Sequence, residues 1–317
     1  MSNPPPPPYE IVQLASLGQQ RDAQLAQAYR VLPLWNDEVT SDQLSNAADA
    51  RVVITSVRRG LRKEWIDALP NLAAVCSWGV GYETLDVDAA KARGIAVSNT
   101  PEVLDGCVAD LAWALMFSVS RRTHIGDQYV KTGQWTSIGK FPLSTRVWGK
   151  RLGVVGLGRI GLAIAQRASG FDMEVRYHNR RPRGDAPYPY EPSLLALAEW
   201  ADFLMVACPG GPSTYQIINE EVLHALGPEG IIVNIARGSV IDEAALVRTL
   251  ENGELGGAGL DVFASEPNVP APLLKMDNVS LMPHVGSATH ETREDMGQLV
   301  MDNVVSFMNS GRLKTPI

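Results

Sequence analysis

Two patterns in this chain carry residue types suited to chemistry. The first is Gly156-Leu157-Gly158-Arg159-Ile160-Gly161, a G-x-G-x-x-G. It follows the apolar run 152–155 and opens a helical pattern through Leu162, Ala165 and Ala168. A glycine loop between strand and helix predicts a dinucleotide site. Gly156 permits the tight turn, Gly158 lets the backbone approach a pyrophosphate, and Gly161 lets helix and strand pack closely. The helix N-terminus offers N–H donors to the phosphates. The second pattern is three polar residues, each just past a buried-looking run: Arg237 after 231–235, Glu266 after 259–263, and His284 after 279–282. Ligands of open parallel sheets bind outside the carboxyl ends of the strands, so these three would converge near the glycine loop. Reducing a carbonyl by hydride builds charge on its oxygen, which must then be protonated. A histidine suits that proton transfer near neutral pH. A carboxylate beside it orients the imidazole and favours its charged form. An arginine holds a substrate carboxylate and polarises the carbonyl. The expected roles are His284 as proton donor, Glu266 as its partner and Arg237 as the anchor.

The tip of the next strand bears on the cofactor. An NAD site wants an Asp or Glu there for the ribose 2′-hydroxyl. This chain has Tyr177-His178-Asn179-Arg180-Arg181-Pro182-Arg183, while Asp172 and Glu174 fall before or at the start of the strand. Arginine pairs bidentately with phosphate. Arg180 and Arg181, assisted by Asn179, are therefore expected to hold a 2′-phosphate, which selects NADPH (NADP+). A merely solvated loop is the plainer alternative. Of the other histidines, His124 and His224 fall in helical stretches and read as surface residues. His178 lies at the ribose edge, and His290 in the first turn of the last helix.

The elements that must position these groups follow from periodicity. Ten short runs read as strands: 11–15, 52–56, 73–77, 95–98, 151–155, 174–177, 203–207, 231–235, 259–262 and 279–282. Most are apolar at consecutive positions, as in strands buried on both faces of a helix-covered parallel sheet. Ten strands and 317 residues exceed one ordinary sheet and core. The fold class is α/β, with two Rossmann-like or flavodoxin-like parallel-sheet domains, the first discontinuous. A boundary at Asn99-Thr100-Pro101 precedes an amphipathic helix over 103–122, and a last helix beginning near Thr289 packs back on the first domain. The domains are thus 1–100 completed by 285–317, and 101–284.

Composition narrows the partners. The net charge is −7 and no long basic stretch occurs, which argues against nucleic acid. The longest apolar stretch, near 111–119, is too short to span a membrane, and no signal peptide is evident. Pro4–Pro8 reads as an extended tail. Cys76, Cys107 and Cys208 are odd in number and set in apolar runs, which suits reduced, buried thiols in the cytoplasm. No metal site is expected.

The chain resembles the D-2-hydroxy acid dehydrogenases from about Val52 onward. The resemblance rests on 156–161, Asn234-Ile235-Ala236-Arg237-Gly238, 257–263 and Pro283-His284-Val285-Gly286. Within that family it is most similar to glyoxylate/hydroxypyruvate reductases and plant-type hydroxyphenylpyruvate reductases. The resemblance implies NADPH-dependent reduction of a small 2-keto acid to the D-2-hydroxy acid by the three residues above. It makes 1–100 the substrate domain and 101–284 the cofactor domain, with substrate held between them. It implies that Gly79-Val80-Gly81 receives the substrate carboxylate. It adds Leu157 to Ile160, Cys208, Pro209, Thr214, Ile235, Asp261 and Gly286 as cofactor contacts, and a homodimer through the helical region after Pro101. Pro209-Gly210-Gly211-Pro212 departs from the family, whose loop carries an aliphatic residue and a threonine, and is expected to loosen the nicotinamide wall. Arg58 is read as solvated rather than substrate-facing. Trp135 and Phe141 stand where relatives place pocket aromatics, some from a neighbouring subunit. A hydroxyphenylpyruvate- or 2-ketogluconate-type reductase, a phosphite dehydrogenase and a nucleotide-sensing corepressor-like protein stay open as alternatives. Glu266 argues against formate dehydrogenases, which use glutamine there.

Overall fold

The computed structural model describes residues 8–36 and 38–317, so Pro4–Pro7 of the expected tail lie outside the described residues. Among the described residues, eleven strands form two wholly parallel sheets. The first sheet contains β1 (Ile11–Gln13), β2 (Val31–Pro33), β3 (Val52–Ser56), β4 (Ala74–Trp78) and β5 (Ala96–Ser98), in the order β2-β1-β3-β4-β5. The second contains β6 (Arg151–Val155), β7 (Glu174–His178), β8 (Phe203–Val206), β9 (Ile231–Asn234), β10 (Gly257–Leu260) and β11 (Val279–Leu281), in the order β11-β10-β9-β8-β6-β7. The chain forms two compact units. One takes the chain up to Leu104 together with Thr289–Ile317, and the other is Asp105–Ala288. The first is therefore discontinuous, and the joins fall at Leu104 and Ala288 where the sequence placed them at Thr100 and His284.

The consecutive apolar runs are explained by burial on both faces. In the first unit Val53 and Val75 enter one core with Leu44, Ile66 and Leu69. Their neighbours Val52, Ile54, Ala74 and Cys76 enter the opposite core with Val300, Val304 and Phe307 of the helix His290–Ser310. That helix begins where Thr289 caps the N–H of Thr292, as the sequence placed it. Removing each such aliphatic side chain from water contributes about 1.5–3 kcal/mol.

Two elements depart from expectation. β2 was not anticipated: it is three residues long, ends in Pro33 and sits at the sheet edge, where a missing N–H is tolerated. β10 begins at Gly257, two residues earlier than expected for a run centred on 259–262. The helix Asp105–Ser120 presses on this strand. A Cβ at Gly257 would lie 2.6 Å from Val119 Cγ1, and one at Gly259 2.9 Å from Leu115 Cβ. Glycines that looked unlike strand residues are what let the helix approach. That helix buries Val108, Ala109, Ala112, Trp113, Leu115, Met116 and Val119, more than the single stripe expected of an amphipathic helix.

Candidate active site

All three strand-end residues lie in the Asp105–Ala288 unit. Its sheet reverses direction of growth at β6, with β7 on one side and β8 on the other. The loops after β6 and β8 therefore flank a switch point, where α/β sheets bind ligands.

The glycine loop is built by close backbone packing. Gly156 has φ 96°, and a Cβ there would stand 2.5 Å from the N and Cα of Cys208. A Cβ on Gly161 would stand 2.1 Å from Gly156 O. Gly158, N-terminal to the helix Arg159–Arg167, has no heavy atom within 4 Å of that position, so its side is open. Leu157 N donates to Asn179 Oδ1 at 2.7 Å, tying the loop to the tip of β7. Arg180 and Arg181 are exposed and have no ion pair among the described residues. An open helix N-terminus and two uncommitted guanidinium groups fit a phosphorylated dinucleotide.

The remaining expected cofactor residues divide. Leu157, Cys208 and Ile235 are buried, so their backbone rather than their side chains lines the loops. Burial pushes the Cys208 thiol up to about 11, and that of Cys76 up to about 12, which makes both unreactive. Cys107, expected to be buried, is only half-buried. Ile160 is half-buried, and Arg159 pairs with Asp105 at 3.4 Å. Pro209 is exposed, and the Thr214 hydroxyl donates to its carbonyl at 2.7 Å.

Arg183 does more than the sequence suggested. Its guanidinium pairs with Asp185 through Nε (2.6 Å) and Nη2 (2.9 Å), while Nη1 lies 3.3 Å from Leu157 O. The signal available was its place in the 180–183 cluster. Nothing local showed that the chain turns it back onto the glycine loop.

The proton-transfer pair is formed. His284 Nδ1 and Glu266 Oε2 are 2.7 Å apart, with both side chains about a quarter to a third exposed (25% and 30%). The other oxygen, Oε1, accepts from Phe263 N at 3.2 Å. His284 has φ 54°, in the left-handed region that non-glycine residues rarely adopt. Three bonds from Asp261 hold it there. His284 N donates to Asp261 O (2.8 Å), Val285 N to Oδ1 (2.7 Å) and Gly286 N to Oδ2 (2.9 Å). Asp261 is only 1% exposed. Burial raises its carboxyl above the ordinary value, while the two amides pull it down. The Asp261 carboxylate is thus spent on the chain that carries His284. Gly286 is buried, with its Cβ position 3.1 Å from Asp261 Oδ2.

Arg237 sits on a turn braced by Asn234, a buried polar residue to which the sequence motif assigned no role. Asn234 Nδ2 donates to Arg237 O, and Asn234 Oδ1 accepts from Ala236 N, both at 3.0 Å. A Cβ on Gly238 would fall 1.9 Å from the carbonyl carbon of Phe263. The turn after β9 therefore lies directly on the loop whose Phe263 N–H Glu266 accepts. Glu243 also holds that loop, accepting from Ala264 N at 3.0 Å.

In the other unit, Gly79 has φ 128° and donates to Thr100 Oγ1 at 3.1 Å. Asn99 Nδ2 donates to Val80 O at 2.8 Å. The N–H groups of Val80 and Gly81 donate to no acceptor among the described residues. Arg58 is exposed.

The other histidines lie outside this cluster. His224 faces Glu254 at 3.0 Å, His178 Nδ1 lies 2.9 Å from Glu191 O, and His290 is exposed. His124 corrects the expectation of a surface residue: Nδ1 is 3.0 Å from Ser118 Oγ and its Nε2 is buried. Phe141 packs edge-on against Tyr129, and Trp135 is exposed. Among the described residues no group of His, Cys, Asp and Glu is arranged to hold a metal, and no helix is long and apolar enough to cross a membrane.

Comparison with known proteins agrees with this geometry. Residues 113–286 match the NAD-binding domain of the D-isomer specific 2-hydroxyacid dehydrogenases. The chain is 42% identical to hydroxyphenylpyruvate reductase of Plectranthus scutellarioides over 308 residues, covering 97% of this chain and 98% of that one. It is 43% identical to 2-ketogluconate reductase of Gluconobacter oxydans over 277 residues, 87% of this chain and 89% of that one. The crystal structure of an NADPH-dependent glyoxylate/hydroxypyruvate reductase from Sinorhizobium meliloti, in complex with NADP and malonate, is similar with a TM-score of 0.90. It shares 41% identity and covers 98% of this chain and 96% of that one.

Proposed function

Because this chain belongs to the D-isomer specific 2-hydroxyacid dehydrogenase family, we propose that it reduces a small 2-keto acid of the glyoxylate or hydroxypyruvate type to the D-2-hydroxy acid, with NADPH. The observation that carries this reading is the 2.7 Å contact between His284 Nδ1 and Glu266. With Nδ1 turned to a carboxylate, Nε2 lies on the opposite side of the ring and is the nitrogen assigned to the reacting oxygen. The bound nicotinamide supplies the hydride, and the protein does the rest. His284 delivers a proton to the carbonyl oxygen, and Glu266 orients the ring and stabilises its charged form. Arg237 receives the substrate carboxylate and draws charge onto the carbonyl oxygen. In the other unit, the N–H groups of Val80 and Gly81 are donors of a kind suited to a carboxylate. Asp261 is a brace for the His284 backbone in this scheme.

Arg180 and Arg181 give the preference for NADPH. The test is oxidation of NADPH and NADH against glyoxylate, hydroxypyruvate, hydroxyphenylpyruvate and 2-ketogluconate, with phosphite oxidation by NADP+ as a control. Efficient turnover with glyoxylate or hydroxypyruvate and NADPH is expected. Replacing both arginines with serine should weaken NADPH by about 100-fold or more and leave NADH almost unchanged, since each charge-assisted bond contributes about 1.5–3 kcal/mol. A wild-type preference for NADH overturns the cofactor assignment. Turnover confined to phosphite overturns the substrate assignment.

The protein acts as a homodimer in this reading. The helix Thr123–Lys131 and the segment after it expose Val130, Trp135, Ile138 and Leu143, the last two at 94% and 97%. Apolar side chains exposed together mark an association surface. Light scattering should give the mass of two chains, and Ile138→Asp with Leu143→Asp should halve it. A monomeric wild type refutes this part.

A further inference from the structure

The two glycines after Pro209 are not equivalent. Gly211 has φ 140°, a backbone conformation that asks for glycine, yet a Cβ there would meet nothing within 4 Å. Gly210 is the reverse. Its φ lies outside the left-handed range, so its backbone would accept other residues. What a Cβ at Gly210 would meet is the stem of Arg237: Cγ at 2.7 Å, Cβ at 3.2 Å and Cδ at 3.9 Å. Carbon atoms pack comfortably at about 3.5–4.0 Å. Residue 210 therefore lacks a side chain where the arginine stem lies, and that stem fills the space beside it.

We propose that Gly210 is a positioning residue for Arg237: the absent side chain sets where the guanidinium stands, and so how the substrate carboxylate is received. The role given to the guanidinium rests on the reading of the site above.

The surroundings decide what would move if a methyl were added. The Arg237 backbone is held at its carbonyl by Asn234 and at the next residue by the contact of Gly238 with Phe263. The facing loop is held too, because Thr214 Oγ1 binds Pro209 O at 2.7 Å and lies 3.2 Å from Gly211 O. With both backbones pinned, the strain falls on the χ angles of Arg237. The clash begins at Cγ, so any rotation that relieves it carries the whole distal side chain away, including Nη1, which now donates to Ala236 O at 2.6 Å. Displacement of a substrate-positioning group by about 1 Å can cost about 100-fold in rate. The cofactor-binding glycine loop is not touched by this contact.

A double-mutant cycle tests both halves of the claim. Gly210→Ala should raise KM for the reduced 2-keto acid by about tenfold or more, and weaken binding of oxalate, a non-reacting dicarboxylate measured by calorimetry, to a similar degree. The dissociation constant for NADPH should stay within about twofold. Overpacking should lower Tm by about 2–4 °C. In an Arg237→Ala background, where Cγ and Cδ are gone and only Cβ remains at 3.2 Å, adding Gly210→Ala should lower Tm by less than half as much and should not weaken oxalate binding further. If Gly210→Ala binds oxalate like the wild type, or if the methyl costs as much with Arg237 absent as present, the proposal is overturned. A wild type that reduces no 2-keto acid instead removes the reading of the site. The Tm cycle then still decides whether Gly210 places Arg237.

Discussion

His284→Ala is expected to lower kcat by about 100- to 10,000-fold, the usual contribution of a positioned general acid. Binding of NADPH should hold, because the glycine loop and Arg180 and Arg181 are built on other strand ends. The size of the effect follows from how fully the imidazole is committed. Its backbone is held in a left-handed conformation by three bonds from Asp261, and its Nδ1 lies 2.7 Å from Glu266. Side chains held by surrounding structure in sparsely populated conformations cluster at functional sites. Glu266→Gln separates orientation from charge. Glutamine can still accept a hydrogen bond from Nδ1, but it carries no negative charge beside the ring. It should therefore lower kcat, though less than His284→Ala does. If kcat for His284→Ala equals that of the wild type, the proton route is wrong.

Arg237→Ala should lower kcat/KM by about 1,000-fold, with part of the loss in KM and part in kcat. An anchor that binds the carboxylate equally in ground and transition states appears only in KM, whereas one that also stabilises charge growing on the carbonyl oxygen lowers kcat. Losing a single preorganised donor at such an oxygen costs about 100- to 1,000-fold, and the lost carboxylate contact adds to it. Arg237→Lys is informative because it keeps the charge and loses the planar fork. It should recover only a small part of the activity. The fold should survive both changes, since Asn234 braces the turn through the main-chain carbonyl of residue 237, which every side chain retains. Unchanged KM and kcat in Arg237→Ala would remove the anchor from the scheme.

The fold class was legible because both cores of each sheet impose a simple rule on the sequence. Val52, Ile54 and Val53 are all apolar because they face opposite cores, and no surface strand would be written that way. The misreadings occurred where that rule lapses. β2 is short and lies at the edge, and β10 opens on Gly257 because Val119 lies against it. Neither property is written in the local sequence. His124 looked like one surface histidine among several until its contact with Ser118 was seen.

The glycine loop, its helix, the lack of a carboxylate at the tip of β7, and Arg237, Glu266 and His284 at successive strand ends were all determined by the sequence alone. They depend on turn chemistry and strand order, which are properties of neighbouring residues. Only the tertiary structure decided which groups brace them. Asp261 reaches across to Val285 and Gly286, Asn234 closes the Arg237 turn, Gly238 meets Phe263, Arg183 folds back on Leu157, and Gly210 makes room for the Arg237 stem. Such contacts join segments far apart in the chain. Periodicity reports which face of an element is buried, but not which atoms of another segment it will meet, because that depends on how all the elements pack at once.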